Sequence, residues 1–494
     1  MSVVLAIDAG TTGVRTRAVF DNGTPSIASY REFPQHFPQP GWVEHDPIDI
    51  WDAVHATLVD VARQLNQPIA AIGITNQRET VVAWNKSTGA PYGRAIVWQD
   101  RRTTDMCEEF APHLPLVRQT TGLVLDPYFS ASKISWILTH SDIARNDDLA
   151  IGTVDSWIAW NLTSGSSFVT DPSNASRTML CDIRSLQWSD DMCSLFDIPR
   201  SALPDIVPSA ARIGMTRGVT GIVDGIPISG IAGDQQAALF GQACVNPGMA
   251  KNTYGTGSFV LMNVGHEWPG VHDGMLTTVA WLINGQPTYA YEGSIFVTGA
   301  AVQWLRDGLE MISSSSEIEA LASTVPDADG VFFVPAFTGL GSPWWDPHAR
   351  AAMFGITRGT TRAHIARAAI DAMVFQTKDV IDAMTSTNGL TLSELRVDGG
   401  AAMMNTMLQI QADAIGVRVL RPTAPESTAM GAAYLAGLAE GVWSDVDEIA
   451  SLWQLDVAFE PHLNETLGLQ HAQWLRAVER SRHWLDATGS TNAK

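Results

Sequence analysis

Three short turns in this 494-residue chain combine residue types that can hold an anion. The first, Asp8-Ala9-Gly10-Thr11-Thr12-Gly13-Val14-Arg15, follows the apolar, β-branched run Val3 to Ile7. A turn rich in glycine and threonine exposes consecutive backbone N–H groups to phosphate oxygens, while the Asp8 carboxylate can hold a water-ligated Mg²⁺ and Arg15 can reach a phosphate. Gly255-Thr256-Gly257 repeats this pattern after the run Met249 to Tyr254. Val397-Asp398-Gly399-Gly400 adds a third turn just before a helical stretch, where free N–H groups favour an anion or a nucleobase edge.

A second set of residues suits a polyhydroxylated ligand. Thr75-Asn76-Gln77-Arg78-Glu79 follows the buried run Ala70 to Ile74, and adjacent Arg78 and Glu79 place a donor fork beside an acceptor pair, as a vicinal diol requires. A solvated ion pair on a loop fits the same residues equally well. Trp98, after another apolar run, offers a wall to C–H faces or simply core, and Tyr128 in Asp126-Pro127-Tyr128-Phe129 has the same two readings. Asp234 stands alone among the apolar and small residues of Ile231 to Leu239, so it must be hydrogen-bonded or functional. It either caps the helix that follows or accepts the proton of an attacking hydroxyl in phosphoryl transfer, where a strong base is not required.

These turns need elements to aim them. Val3 to Ile7 and Thr16 to Phe20 read as strands, with Asp21-Asn22-Gly23 as a tight turn into a third. Pro47 to Leu65 is helical in pattern, Ala70 to Thr75 is a buried strand, and Thr80 to Trp98 reads as a hairpin turning at Asn85 to Gly89. The strand Ile226 to Ala232 ends at Gly233-Asp234 and feeds the helical stretch Gln235 to Phe240, a junction that places side chains at a sheet's carboxyl edge. Near residue 245 the pattern restarts, with Met249 to Tyr254 and Phe259 to Met262 flanking the second glycine-threonine turn. Helices are expected at Thr361 to Met384, at Ala401 to Ile415 stopped by Gly416, and at Ser427 to Ala439 stopped by Gly441. The apolar-poor tail from Asp486 is expected to fray.

Composition narrows the function. Apolar residues make up 45% and charged residues 17%, which supplies large buried cores and excludes disorder for the bulk of the chain. The net charge is −21 and only five of the 31 basic residues are lysines, which opposes a nucleic-acid-coating surface. An anionic ligand therefore needs a local cradle. Cys107, Cys181, Cys193 and Cys244 are far apart and lack metal-site spacing, which points to a reducing compartment. Without a membrane span or a basic n-region ahead of Asp8, a cytoplasmic location is expected. The absence of a G-x-x-x-x-G-K-[ST] loop, an H-R-D loop, an H-E-x-x-H helix and a G-x-S-x-G elbow excludes P-loop and protein-kinase chemistry. Two halves, each with a meander and a phosphate-type turn, fit instead an α/β fold of two duplicated actin-like (ribonuclease H-like) ATPase domains with the active site in the cleft between them.

At these residues the chain resembles the FGGY family of carbohydrate kinases, from Asp8 to about Trp443. The strings GITNQRET, AIVWQDRRT, DPYFSASK, GIAGDQQAALFGQ, KNTYGTGS, RVDGG and TAMGAAYLAG carry the likeness, and GITNQRET with GDQQAALFGQ is similar to the glycerol-phosphorylating branch. The resemblance implies an N-terminal domain at 1–245 and a C-terminal domain at 246–494. It implies a glycerol site of Arg78, Glu79, Trp98, Tyr128, Asp234, Gln235 and Phe259, with Asp234 as the catalytic base. It also implies ATP contacts from Thr11, Thr12, Arg15, Thr256, Gly299, Gln303 and Gly400, Mg²⁺ near Asp8 and Asp234, and a homo-oligomer, dimer or tetramer. Another small polyol or sugar as substrate is the alternative within the family, and a non-transferase actin-like ATPase the alternative outside it.

The chain departs from the family pattern in places. Ala9 and Gly13 replace the glutamine and serine common in the first loop. Met404 stands where an asparagine commonly approaches the base, with Asn405 next to it. Control by fructose 1,6-bisphosphate would require an arginine where Gly225 stands beside Asp224, and control by phosphohistidine would require a histidine that Pro208 to Ile231 lacks. Insensitivity to both signals is expected, unless Arg212 and Arg217 provide another anion surface.

Overall fold

The computed structural model describes residues 2–386, 389–424 and 426–485, so the expectation for the tail from Asp486 lies outside the described residues. The chain opens as the meander anticipated: β1 (Val3–Ala9), β2 (Gly13–Phe20) and β3 (Pro25–Glu32) pair antiparallel in sequence. Then α1 (Pro47–Ala62) begins with Asp46 accepting the Ile48 N–H and Pro47 in the first turn, and it buries Ile50, Val54, Leu58 and Val61 at helical spacing. β4 (Ile69–Asn76), β5 (Ala210–Met215) and β6 (Pro227–Gly233) complete a six-stranded sheet of order β5-β6-β4-β1-β2-β3. The hairpin expected over Thr80 to Trp98 is present, with Val81–Asn85 turning at Gly89 and returning as Ala95–Ile96.

After β6 the chain enters α2 (Asp234–Gly241) and begins a second sheet. Its strands are β7 (Met249–Tyr254), β8 (Ser258–Gly265), β9 (Leu276–Ile283), β10 (Gln286–Ile295), β11 (Glu394–Gly399), β12 (Val419–Pro422) and β13 (Leu455–Phe459), in the order β9-β10-β8-β7-β11-β12-β13. The two sheets share a five-strand core. In the first, β3-β2-β1-β4-β6 has antiparallel pairs followed by parallel ones, and in the second β10-β8-β7-β11-β12 has the same directions. The duplication inferred from two similar turns is thus a duplication of topology.

The second half also contributes α3 (Gly299–Asp307), α4 (Arg362–Thr385), α5 (Asn405–Ile415) and α6 (Ser427–Ala439). The expected helix from Ala401 is split: Gly400–Met403 forms a 3-10 turn and α5 starts after Met404. Seven of the ten buried positions of α6 are alanine, glycine or serine, the others being Met430, Tyr434 and Leu435, and the helix lies between the first sheet and α2. A methyl group at Gly73 would overlap the Ala432 carbonyl, and one at Gly431 would overlap that of Ala237, so small residues set this interdomain packing. All four cysteines are free and buried, and no described helix is long and apolar enough to cross a membrane.

Candidate active site

β1, β4 and β6 run parallel or directly adjacent and end together, so Asp8, Asn76 to Glu79 and Asp234 converge at one sheet edge. The Gln77 N–H donates to the Ala9 carbonyl at 2.8 Å, and Glu79 takes a left-handed conformation at φ 61° that turns the chain sharply after Arg78. Such a conformation is costly for a side chain larger than glycine and persists where surrounding contacts fix it. Here they do. Arg78 and Glu79 are both 2% exposed, which settles the open reading of this pair: it is not a solvated ion pair.

The Arg78 guanidinium organises the pocket. Nη1 donates to Glu292 Oε2 at 2.6 Å and Gln236 Oε1 at 3.1 Å, and Nη2 donates to Glu292 Oε1 at 2.8 Å and the Tyr128 hydroxyl at 3.1 Å. Nε lies 3.3 Å from Asp234 Oδ1 and 3.7 Å from Glu79 Oε1. Arg177 Nε donates to Glu79 Oε1 at 2.7 Å, giving Glu79 its own buried cation. Although burial pushes the Glu292 carboxyl up, Arg177 and Arg78 outweigh it and hold the group down at about 2. Glu292, Arg177 and Gln236 were not singled out from the sequence. A lone glutamate in the strand sequence AYEGSI was the available signal for the first, because an unpaired carboxylate in an apolar strand must have a partner.

Asp234 is the first residue of α2, not its cap. Gly233 holds the cap position, and the Asp234 Oδ1 accepts only the adjacent Gln235 N–H, at 2.7 Å. Its side chain is 28% exposed, which leaves a carboxylate oxygen open to a ligand. Burial raises this carboxyl above the usual range, against the pull of Arg78 and Lys251. Asp8 is pushed up to about 7 by burial and by the Asp234 charge, while Arg15 opposes the shift. The Gln235 amide oxygen accepts from buried Lys251, whose ammonium feels the charges of Asp234, Glu292 and Arg78; Lys251 also donates to Thr253 Oγ1 at 3.0 Å.

Aromatic rings close the polar cluster. Trp98 meets Tyr128 edge-on at 5.6 Å and Phe259 at 6.4 Å, so residues from both halves of the chain form one wall. Tyr128 is held firmly: its N–H donates to Asp126 Oδ1, and the buried Lys133 ammonium donates to the carbonyls of Pro127, Tyr128 and Phe129 at 2.8–2.9 Å. The Trp98 indole N–H donates to Thr11 Oγ1 at 3.0 Å, which joins this wall to the first glycine-threonine turn.

That turn and its counterpart each close with a glycine N–H donating forward in the chain, over three residues in the first and two in the second. Gly10 N–H donates to Gly13 O at 3.0 Å, and Gly255 N–H to Gly257 O at 2.8 Å. The second turn is tied to the start of α3 by Gly299 N–H to Gly255 O at 3.1 Å and Ala300 N–H to Thr256 O at 3.0 Å. Thr12, Thr256, Gln303 and Gly400 are exposed. Gln303 and Gly400 stand on the second sheet's side, on α3 and directly after β11, away from the Arg78 cluster. Gly399, at φ 88°, makes the bend before Gly400. Arg15 Nη1 pairs with Glu426 Oε1 at 2.6 Å, and Arg17 pairs with the same carboxylate. Of the two arginines of the alternative anion surface, Arg212 is paired with Glu440, whereas Asp224, whose Oδ1 accepts the Gly218 N–H at 2.7 Å, adds a negative charge that repels a sugar bisphosphate.

Duplicated sheets, paired anion-type turns and a buried polyol-type pocket with an accessible carboxylate define a two-domain kinase of small hydroxylated substrates. The chain belongs to the FGGY family of carbohydrate kinases, whose N-terminal domain matches residues 3–241 and whose C-terminal domain matches residues 250–440. It is 53% identical to the glycerol kinase of Dechloromonas aromatica, over 98% of each chain. It is 52% identical to glycerol kinase 2 of Thermotoga maritima, over 98% of this chain and 99% of the relative. Among solved structures, Plasmodium falciparum glycerol kinase with ADP superposes with a TM-score of 0.93 at 35% identity, covering 97% of this chain and 98% of that one.

Proposed function

We propose that this enzyme transfers the γ-phosphoryl group of ATP to glycerol, giving sn-glycerol 3-phosphate and ADP. The observation that carries this reading is the buried Arg78 cluster between Trp98, Tyr128 and Phe259: hydrogen-bonding groups on one side and aromatic rings on the other match a short chain with a hydroxyl on every carbon. Full-length relatives named glycerol kinase at about half identity support it. Arg78, Glu79, Trp98, Tyr128, Asp234, Gln235 and Phe259 are assigned to glycerol. Asp234 accepts the proton of the attacking hydroxyl, and its raised proton affinity suits that task. Residues 1–245 form the glycerol domain and residues 246–494 the nucleotide domain.

ATP is assigned to Thr11, Thr12 and Arg15 from the first domain and to Thr256, Gly299, Gln303 and Gly400 from the second. Phosphate at this position would draw Arg15 from Glu426 and find the exposed turn N–H groups without rearrangement of the buried cluster. Mg²⁺ fits Asp8 and Asp234, whose mutual repulsion a divalent cation would relieve. No group of three or more histidine, cysteine or acidic side chains able to hold a metal occurs among the described residues, which matches an ion carried largely by phosphate oxygens and water. When bound, it would neutralise charge on the transferring phosphoryl group. Coupled ADP-release assays with glycerol and with water as acceptors, followed by identification of the phosphorylated product, test the proposal. Glycerol-dependent turnover far above the water rate is expected, and equal rates would contradict it.

A further inference from the structure

Arg78 follows a strand of the first sheet, yet its strongest partner comes from the second. Glu292, on β10, is fully buried and grips both Nη nitrogens, at 2.6 and 2.8 Å. Its Oε1 also lies 3.2 Å from Nη2 of Arg177, and Arg177 in turn holds Glu79. Each Arg78 Nη nitrogen donates twice, so its fork is saturated. The Nε edge, 3.3 Å from Asp234 and 3.7 Å from Glu79, is what remains toward the pocket.

We propose that Glu292 is a positioning residue for acceptor recognition: reaching across from the second sheet, it fixes the Arg78 guanidinium so that the Nε edge, and not the fork, serves the substrate. The inference rests on the reading of this pocket as the glycerol site. Two consequences follow from the geometry. The acceptor pocket is complete only when both halves of the chain meet. An anionic acceptor such as glycerate finds the bidentate fork already occupied by a carboxylate, which favours uncharged polyols.

Arg78, Arg177 and Lys251 carry three positive charges against the three negative charges of Glu79, Asp234 and Glu292. Glu292→Gln alone unbalances this set, and a buried cation left unpaired can prevent folding. The second variant, Glu292→Asp, keeps the charge count and leaves the Arg177–Glu79 pair in place while withdrawing the carboxylate from the fork by one methylene. Steady-state kinetics of the full-length enzyme and both variants, with folding checked by circular dichroism, test the proposal.

Wild-type turnover of glycerol tests the underlying reading by itself. In a folded variant the glycerol KM should rise at least about tenfold, the scale of a lost charged hydrogen bond, with the ATP KM within about twofold. Glycerate turnover relative to glycerol should rise by at least about tenfold as well. An active, folded variant with unchanged glycerol KM, or with both KM values raised alike, overturns the inference and leaves the glycerol assignment intact. Failure of both variants to fold would assign Glu292 to folding and also overturn it.

Discussion

On the proposed acceptor side, Arg78, Glu79 and Tyr128 are buried and each is tied to several named partners; on the proposed nucleotide side, Thr12, Thr256 and Gly400 are exposed on short turns and Gln303 is exposed on α3. The first region holds its geometry before any ligand arrives, through charges that water does not screen. The second offers backbone N–H groups on glycine turns, where close approach matters more than side-chain identity. Under the proposed assignment the contrast reflects the ligands. A neutral polyol must be distinguished by placed hydrogen-bonding groups, whereas phosphates are strongly attracted to any well-aimed cluster of donors.

The largest expected effect lies at the boundary between the regions. Asp234→Asn should lower kcat by between about 10² and 10⁴-fold, the range for a positioned base. The amide oxygen can still accept the Gln235 N–H and Gly233 remains the cap, so folding should survive. Near-normal kcat would reduce Asp234 to a structural residue and erase the contrast.

The next largest concerns a buried bridge joining the two regions. Gln77 donates to the Gly10 carbonyl and to His45 Nδ1, while His45 Nε2–H donates to Gln35 Oε1 at 2.6 Å and Gln35 donates to the Thr11 carbonyl at 3.0 Å. Burial and the neighbouring His36 hold the His45 imidazole down at about 4, from an ordinary value of 6.5. The native state therefore binds fewer protons than the unfolded chain between these values, and stability falls as pH drops through that window. The loss sums to roughly 3 kcal/mol from this group. Urea unfolding from pH 7 to 4 should show His45→Gln losing less stability on acidification than the wild type. Parallel pH dependence of the two proteins would remove His45 from the bridge.

Trp98 separates the regions more finely. Trp98→Ala removes the wall and should raise the glycerol KM at least about tenfold with a smaller effect on kcat. Trp98→Phe retains a wall but loses the N–H to Thr11, a bond worth about 1 kcal/mol, and should raise the ATP KM by about fivefold. A rise confined to the ATP KM in Trp98→Ala would contradict the pocket.

The smallest effects fall on the exposed side. Met404 occupies the cap position of α5 without a side-chain hydrogen bond, so Met404→Asn should stabilise the enzyme by about 1 kcal/mol and sharpen its preference for ATP over GTP and CTP. Unchanged kcat/KM ratios for the four nucleoside triphosphates would show that this position does not read the base. Millimolar fructose 1,6-bisphosphate should leave glycerol phosphorylation unchanged, because Gly225 offers no cation and Arg212 is bound to Glu440. A saturable loss of activity would contradict this expectation.

Local pattern made the meander, the glycine-threonine turns and the strand-to-helix junction at Asp234 legible in the sequence, since each depends on residues close together in the chain. Arg78 and Glu79 were visible as a pair but not as buried, because the groups that bury them, Arg177 and Glu292, lie 98 or more residues away. Periodicity carries no information about such distant partners. The same limit applies to Gln236 and Lys251, whose roles come from the docking of α2 against β7 and the Arg78 cluster. It applies to α6 as well: its small residues mark close packing, but not that the surface it packs on belongs to the other sheet.

A buried cluster built for a three-carbon, uncharged polyol must discriminate by chain length, and kcat/KM for glycerol against xylulose on the wild-type enzyme measures that discrimination. A preference for glycerol of at least about tenfold is the expected result, since a site closed around a short triol leaves a five-carbon sugar with unpaired groups. Equal values, or a preference for xylulose, would show that the buried cluster is not a glycerol site.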